Sequence, residues 1–373
     1  MKIFYLVNAK IDSKAAHAVN MASTCNAMSE LGHDVSLITR NILDIDFNLN
    51  NYYKNYSIKF PFKVVKIPFL NFNFLRNLSF SFNAIRYVIK ENPDIIYIRY
   101  SLDFIILFFI NKKIIIERHS PLSSNLFIKF FQSFTYGFNN VAKIIIITDS
   151  LKKIILSQKL KLKKKLYVHC DGANIVSLKN DNNIKLQGSF ENNIGYFGHL
   201  YEGRGIDLII NIAIQNSNLG FHLIGGLDKD VKRWIEKSKA LENIFFYGYL
   251  PHNKLVSYAM LMDILLAPYQ NNVKVPGGPN TVKWMSPLKI FEYMSFKKPI
   301  ICSNIEVLHE VLENNVNSLL VNSKNVDAWT FAIKSLLNDN QFAELLVNNA
   351  YSDLTNKYSW RKRVQAILDF SNE

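Results

Sequence analysis

Cysteine is scarce in this chain: Cys25, Cys170 and Cys302 are the only three among 373 residues, and they are isolated from one another. A disulfide framework is excluded, and no His/Cys cluster suggests zinc, so buried free thiols in a reducing compartment are expected. Long apolar runs are missing too. Residues 1–7 give way to polar Asn8, too short for a secretory signal core. The run from Phe104 to Ile110 stops at Asn111-Lys112-Lys113, well short of the ~18 residues of a membrane helix. The reading is a cytoplasmic protein that is not integral to a membrane. Acid is also short: 30 Asp and Glu stand against 44 Lys and Arg, a net charge of +14. That balance points to an anionic partner, but no recognised nucleic-acid motif accompanies it, so no nucleic acid is expected.

What is present is apolar and alternating. Nearly half the residues are hydrophobic and 13% are aromatic, enough for two domains with substantial cores. A buried-strand pattern at 3–7 is followed by a helical stretch at 15–31 and a strand at 35–39, which reads as a βαβ unit with a parallel sheet. Further strands are expected at 95–98, 114–117 and 144–148, apolar enough to be covered on both faces. A polar Asn/Lys-rich stretch then looks like a linker. Beyond it the alternation resumes with strands at 193–197, 221–224, 244–247, 264–267 and 299–302. Helices are expected between them at 206–215, 230–239, 254–260 and 286–296, and a last one at 360–370.

The most specific segment is Ser286-Pro287-Leu288-Lys289-Ile290-Phe291-Glu292-Tyr293-Met294, after the loop Pro276-Gly277-Gly278-Pro279-Asn280. Ser followed by Pro is a helix-start signal, with Ser286 as the cap and Pro287 in the first turn. Leu288, Phe291 and Met294 recur at helical spacing and take the core face. Lys289 and Glu292, three apart, share another face. A helix start offers N–H groups and a positive dipole end to a phosphate, Lys289 adds a cation, and a carboxylate one turn on suits sugar hydroxyls. A second phosphate-binding candidate runs from Gly195 to Gly205 between strand and helix, where Gly198 permits close approach and Arg204 offers a bidentate grip. Glu117-Arg118-His119 ends an apolar strand, where a functional residue would sit. His17 and Asn20 lie one turn apart on the first helix, and Arg99 ends another strand as either a site or a surface arginine. Two Asp-x-Asp triplets, 44–46 and 228–230, read as loop acids and not as metal ligands.

The Ser286–Met294 run resembles the donor-binding stretch of bacterial family 4 glycosyltransferases. That resemblance implies the GT-B α/β fold: two Rossmann-like domains facing a central cleft. A C-terminal helix after Tyr358-Ser359 crosses back to the N-terminal domain. The bounds expected are 1–175, completed by 358–373, for an acceptor-side domain; 176–192 for a linker; and 193–357 for a donor domain. The implied activity is hexosyl transfer, with retention, from a nucleotide diphosphate sugar to a hydroxyl of a glycan or lipid-linked glycan. Capsule, lipopolysaccharide or exopolysaccharide assembly is the expected setting.

The resemblance assigns Glu292 to the ribose, and Ser286, Pro287, Leu288 and Lys289 to the diphosphate. Gly198, His199 and Arg204 belong to the phosphate loop, with His199 where an arginine is usual. Glu117 and His119 match a Glu-x-His segment whose histidine contacts the transferred sugar; His119, Arg204 and Lys289 are the catalytic candidates. His17 and Asn20 match an acceptor- or sugar-side pattern, although the preceding loop at 9–16 lacks the family's glycines. Trp284 stands where the first of two glutamates eight positions apart is usual, so sugar selectivity does not transfer. The cationic grip implies metal-independent donor binding and no cofactor. Two other readings keep the fold: a nucleotide-sugar-binding subunit without transfer, or a sugar epimerase or hydrolase. Aromatics and cations across 52–90, with Lys152-Lys153 and 159–165, suggest peripheral docking on the anionic inner face of the cytoplasmic membrane, against a background of ordinary core aromatics and solvated charge.

Overall fold

The computed structural model describes residues 1–13, 15–41, 47–70, 72, 76–99, 110–158, 166–178, 184–274 and 278–370. The acid triplet at 44–46, the apolar run at 104–109, Phe74, the lysines at 159–165, residues 179–183 of the expected linker and Pro276-Gly277 lie outside them. Contacts divide the chain into two units, Met1–Asp171 with Trp360–Glu373, and Gly172–Ser359. Among the described residues no helix is long and apolar enough to cross a membrane.

The first unit is a parallel seven-stranded sheet in the order β3-β2-β1-β4-β5-β6-β7. Its strands are β1 (Lys2–Leu6), β2 (Asp34–Arg40), β3 (Lys63–Ile67), β4 (Ile95–Arg99), β5 (Lys113–Arg118), β6 (Val141–Ile146) and β7 (Leu166–Val168). The helices are α1 (Ala16–Glu30), α2 (Leu49–Asn55), α3 (Arg76–Glu91), α4 (Leu126–Thr135) and α5 (Asp149–Gln158), with α12 (Trp360–Leu368) returning from the end of the chain. Register sorts the two faces of this sheet. Tyr5 pairs with Tyr97, and Arg99 with Glu117, so these side chains share one face. The opposite face carries Phe4, Ile96, Ile116 and Arg118. Glu117 meets Arg363 of α12 on the first face, and α1 packs beside α12. On the other face Phe4 stacks on Tyr87 of α3 at 5.5 Å, and Arg118 reaches Tyr136 at the end of α4. Right-handed crossovers explain the sorting: connections running one way along the sheet put their helices on one face, and the return direction uses the other.

The second unit holds a parallel six-stranded sheet, β10-β9-β8-β11-β12-β13. The strands are β8 (Asn192–Phe197), β9 (Leu219–Ile224), β10 (Ile244–Gly248), β11 (Ile264–Ala267), β12 (Ile300–Ser303) and β13 (Leu319–Val321). Around it lie α6 (Ile206–Gln215), α7 (Asp228–Lys237), α8 (His252–Met260), α9 (Leu288–Ser295), α10 (Val326–Asn338) and α11 (Asn340–Asp353). Ile209, Trp329 and Phe221 belong to its continuous core. The segment before β8 packs on this unit: Phe190 lies 6.0 Å from Phe245, and the Gln187 N–H donates to Tyr247 Oη at 2.9 Å.

One expected boundary is corrected. Helix α9 starts at Leu288, with Pro287 rather than Ser286 at the cap position, and no side chain caps its first turn. Proline disfavours helical geometry in the residue before it, and Pro287 itself is extended at φ −81°, ψ 108°.

Candidate active site

In the second unit strand order reverses between β8 and β11, the place where open parallel sheets leave a crevice beyond their carboxyl ends. The chain leaving β8 turns at Gly198, whose φ of +143° favours glycine and whose close approach to α9 would put a Cβ 3.1 Å from Lys289 Nζ. The turn closes at Gly205, the left-handed cap of α6, where a Cβ would meet the Pro268 carbonyl oxygen at 1.8 Å. Glycine here lets the loop lie against the end of β11.

This backbone brings together the sequence-predicted cations. Lys289 is buried on α9, with Nζ 3.8 Å from the Tyr196 ring centroid and 5.1 Å from Tyr269. No hydrogen-bond acceptor meets this ammonium among the described residues. Arg204 lies 4.6 Å over Tyr201 and 5.3 Å over Tyr269, donates to Tyr201 Oη, and leaves Nε without an acceptor. Burial, then the charge of Arg204, push the Lys289 ammonium well below the usual lysine range. A buried ammonium and a half-buried guanidinium on aromatic faces, with donor capacity unused, are an arrangement that an anion would satisfy. His199 contributes no charge near neutral pH: burial, then Arg204 and Lys289, push its imidazole down to about 4.

Glu292 lies at the edge of this arrangement. Its Oε1 is 3.1 Å from Nε2 of His252, the first residue of α8. Burial opposes the imidazolium, but Glu292 prevails and raises its pKa. His252, Tyr196 and Tyr269 are partners that the sequence reading did not identify.

The first unit gathers the other predicted residues on the α1/α12 face of its sheet. Glu117 is fully buried, and its Oε1 lies 2.5 Å from His119 Nε2 and 3.3 Å from Arg363 Nη2. Tyr97 Oη donates to the other carboxylate oxygen. Burial alone would raise the Glu117 pKa; Arg363, His119 and Arg99 instead hold it well below the carboxylate range. Asn20 Nδ2 donates to Asp171 at 2.7 Å and its Oδ1 accepts from Arg99 at 3.2 Å. Burial raises the Asp171 pKa, so the two carboxyls beside His119 are driven apart. His17 lies within 3.4 Å of Ser13 Oγ, and burial followed by Arg99 disfavours its protonated form.

Donor atoms of Glu117, His119 and Asp171 fall within 4.8 Å of one another, a spacing that a cation would also accept. Here the Arg363 guanidinium already holds the Glu117 charge, and a metal ion would stand against it. Arg363 and Asp171 were not singled out from sequence. Tyr97 carried a signal: it stands two before Arg99, on the same strand face.

Both units match family models. Residues 18–170 match Glycosyltransferase Family 4, and residues 179–353 match Glycosyl transferases group 1. A glycosyltransferase of Methanocaldococcus jannaschii, itself uncharacterised, is 25% identical over 63% of this chain and 60% of its own length. An uncharacterised 41.2 kDa protein in the cps region of Klebsiella pneumoniae is 29% identical over 35% of this chain and 32% of its own length. The chain thus spans about a third to three-fifths of these relatives. Among solved structures, a glycosyltransferase from Rickettsia africae covers 98% of this chain and 96% of its own, with TM-score 0.74 and 16% identity. Anabaena HepE in complex with UDP and glucose covers 98% of each chain, with TM-score 0.71 and 15% identity. Two doubly wound parallel sheets of this kind define the GT-B class. The chain belongs to the glycosyltransferases of group 1 and family 4.

Proposed function

We propose that this protein transfers a sugar from a nucleotide diphosphate sugar to an acceptor hydroxyl, with retention, in the assembly of a surface glycan. The observation that carries the reading is the Lys289 ammonium, buried at the switch point without an acceptor and beside the unsatisfied Arg204 Nε. A diphosphate supplies the missing acceptors, and its leaving-group charge is what such fixed cations would stabilise. Glu292, held by His252, takes the ribose; His119, oriented by Glu117, serves the transferred sugar. Asn20, His17 and Arg99 serve the sugar or acceptor side. UDP and glucose in the Anabaena structure, and the cps-region setting of the Klebsiella relative, support the donor and glycan classes respectively. In this reading the two cations replace a metal ion at the diphosphate.

The test is calorimetric binding of a panel of nucleotide diphosphate sugars to the full chain, repeated with Lys289→Ala and Glu292→Ala. The reading expects one donor to bind and both variants to weaken it. Unchanged binding in both variants overturns the site. A second reading, donor binding without transfer, draws on the neutral His199, which adds no cation to Arg204 and Lys289. It is separated by following the bound donor with lipid-linked and soluble glycan acceptors. A glycosylated product rejects it.

A further inference from the structure

Among the described residues of the first unit, the most exposed large apolar side chain is on α4, and the proposed function does not use it. Leu126, Phe127 and Phe130 are 81%, 71% and 63% exposed, and Phe134 is half exposed. Their rings brace one another: Phe127 lies 4.7 Å from Phe131, and Phe130 stacks with Phe134 at 6.3 Å. A solvated helix of this length normally turns polar residues outward, and this one turns out phenylalanine.

The same face of the sheet carries α3, which the register places with α4 and away from α1 and α12. It exposes Leu78, Phe82 and Ile89. By contrast, Tyr52, Phe62 and Phe80, also among the aromatics expected to dip into lipid, are buried in the core. Among the described residues, the helices of this face carry charge of one dominant sign. Arg76, Arg86, Lys90, Lys129, Lys152 and Lys153 lie on α3, α4 and α5, against only Glu91 and Asp149. Glu91 is already paired with Lys2 at 3.0 Å. Residues 119–148 contain no acid.

We propose that this face, with α4 as its apolar element, docks on an anionic bilayer surface. Exposed rings rimmed by cations provide both signals that stable peripheral binding requires, apolar insertion and attraction to negative headgroups. A protein partner would need a matching acidic, apolar groove; a lipid surface needs only the two properties present. The helix is also tied to the chemistry. The loop between β5 and α4 begins at His119 and is clamped by Arg118, which donates to the Ser120 and Pro121 carbonyls at 3.1 and 2.6 Å and to Tyr136 Oη at 2.6 Å. Docking α4 therefore fixes the bilayer within one short loop of His119, where a lipid-linked acceptor would be used.

The experiment is sedimentation of the full chain with phosphatidylcholine vesicles, with and without phosphatidylglycerol, at low and high salt. Two variants are compared, Leu126→Gln/Phe127→Gln/Phe130→Gln and Lys129→Glu/Lys153→Glu. The proposal expects binding to phosphatidylglycerol vesicles that weakens in salt and falls at least about tenfold in each variant. Circular dichroism and donor affinity should be unchanged. Absence of binding at low salt, or equal binding by the apolar variant, overturns it. So does a wild-type dimer in analytical ultracentrifugation that the apolar variant converts to monomer, which would make the face an interface between copies. No donor is present in the vesicle assay, so its failure leaves the donor reading standing, and loss of donor binding in Lys289→Ala leaves docking standing.

Discussion

In the first unit the buried Arg363 meets Glu117 at 3.3 Å; in the second the buried Lys289 lies 3.8 and 5.1 Å from two aromatic rings and meets no acceptor among the described residues. Both cations are desolvated, but only one is neutralised within its own unit. A closed pair holds structure together and orients His119. An open cation destabilises the empty protein and keeps its electrostatic capacity for a ligand. Desolvation thus does different work in the two units, and the difference separates support from binding.

The largest effect should come from breaking the closed pair. Arg363→Met leaves Glu117 charged and buried, and is expected to cost about 3–5 kcal/mol in urea unfolding. The Glu117→Gln/Arg363→Met double variant should recover part of that loss, and simple additivity would show the two are not coupled. Next is the open cation. Lys289→Met should weaken donor binding about 10–150-fold, from loss of a charge-assisted contact, while raising apo stability by about 1 kcal/mol. Both changes are read by calorimetry and thermal melts. If the variant is less stable without donor, Lys289 is supported by a partner and the contrast fails.

Proton linkage sharpens the same comparison. Glu117 has its folded pKa held below the usual 4.5, so its stabilisation is complete above that value and is lost as pH falls through the folded pKa. Lys289 has its folded pKa lowered from 10.5; below the folded value both states are protonated and its burial penalty is complete. That penalty disappears as pH rises from the folded value towards 10.5. Urea unfolding across pH should therefore show an acid loss that Glu117→Gln removes and an alkaline gain that Lys289→Met removes. The smallest expected effect is from His199→Arg. A third cation should tighten donor binding by up to about tenfold and lower apo stability by repulsion of Arg204 and Lys289. Unchanged affinity would place position 199 away from the phosphates.

Much of this was legible in the chain because its signals are local. The alternation of strand and helix identified the central strands of both sheets, buried on both faces and therefore apolar throughout. The edge strands β3, β7 and β13 escaped notice: β7 and β13 are only three residues long, and Lys63-Val64-Val65-Lys66-Ile67 of β3 has only one buried residue. The candidate anion pocket was readable from Arg204 and from Lys289 and Glu292, one turn apart on a single helix. Their partners were not. His252 reaches Glu292 across 40 positions, and Arg363 reaches the Cys170 carbonyl across 193. No spacing rule spans such distances; only the sheet order brings these residues together.

The return of α12 to the first unit also has a consequence for synthesis. Its Arg363 is made after the entire second unit, yet it supplies the countercharge to Glu117 near the middle of the first sheet. A nascent chain can form most of the first sheet early, but its acidic centre lacks the Arg363 countercharge until the second unit has been made. Maturation of the residues around His119 is thereby tied to completion of the second unit, and a ribosome-stalled chain would carry the sheet without its finished charge network.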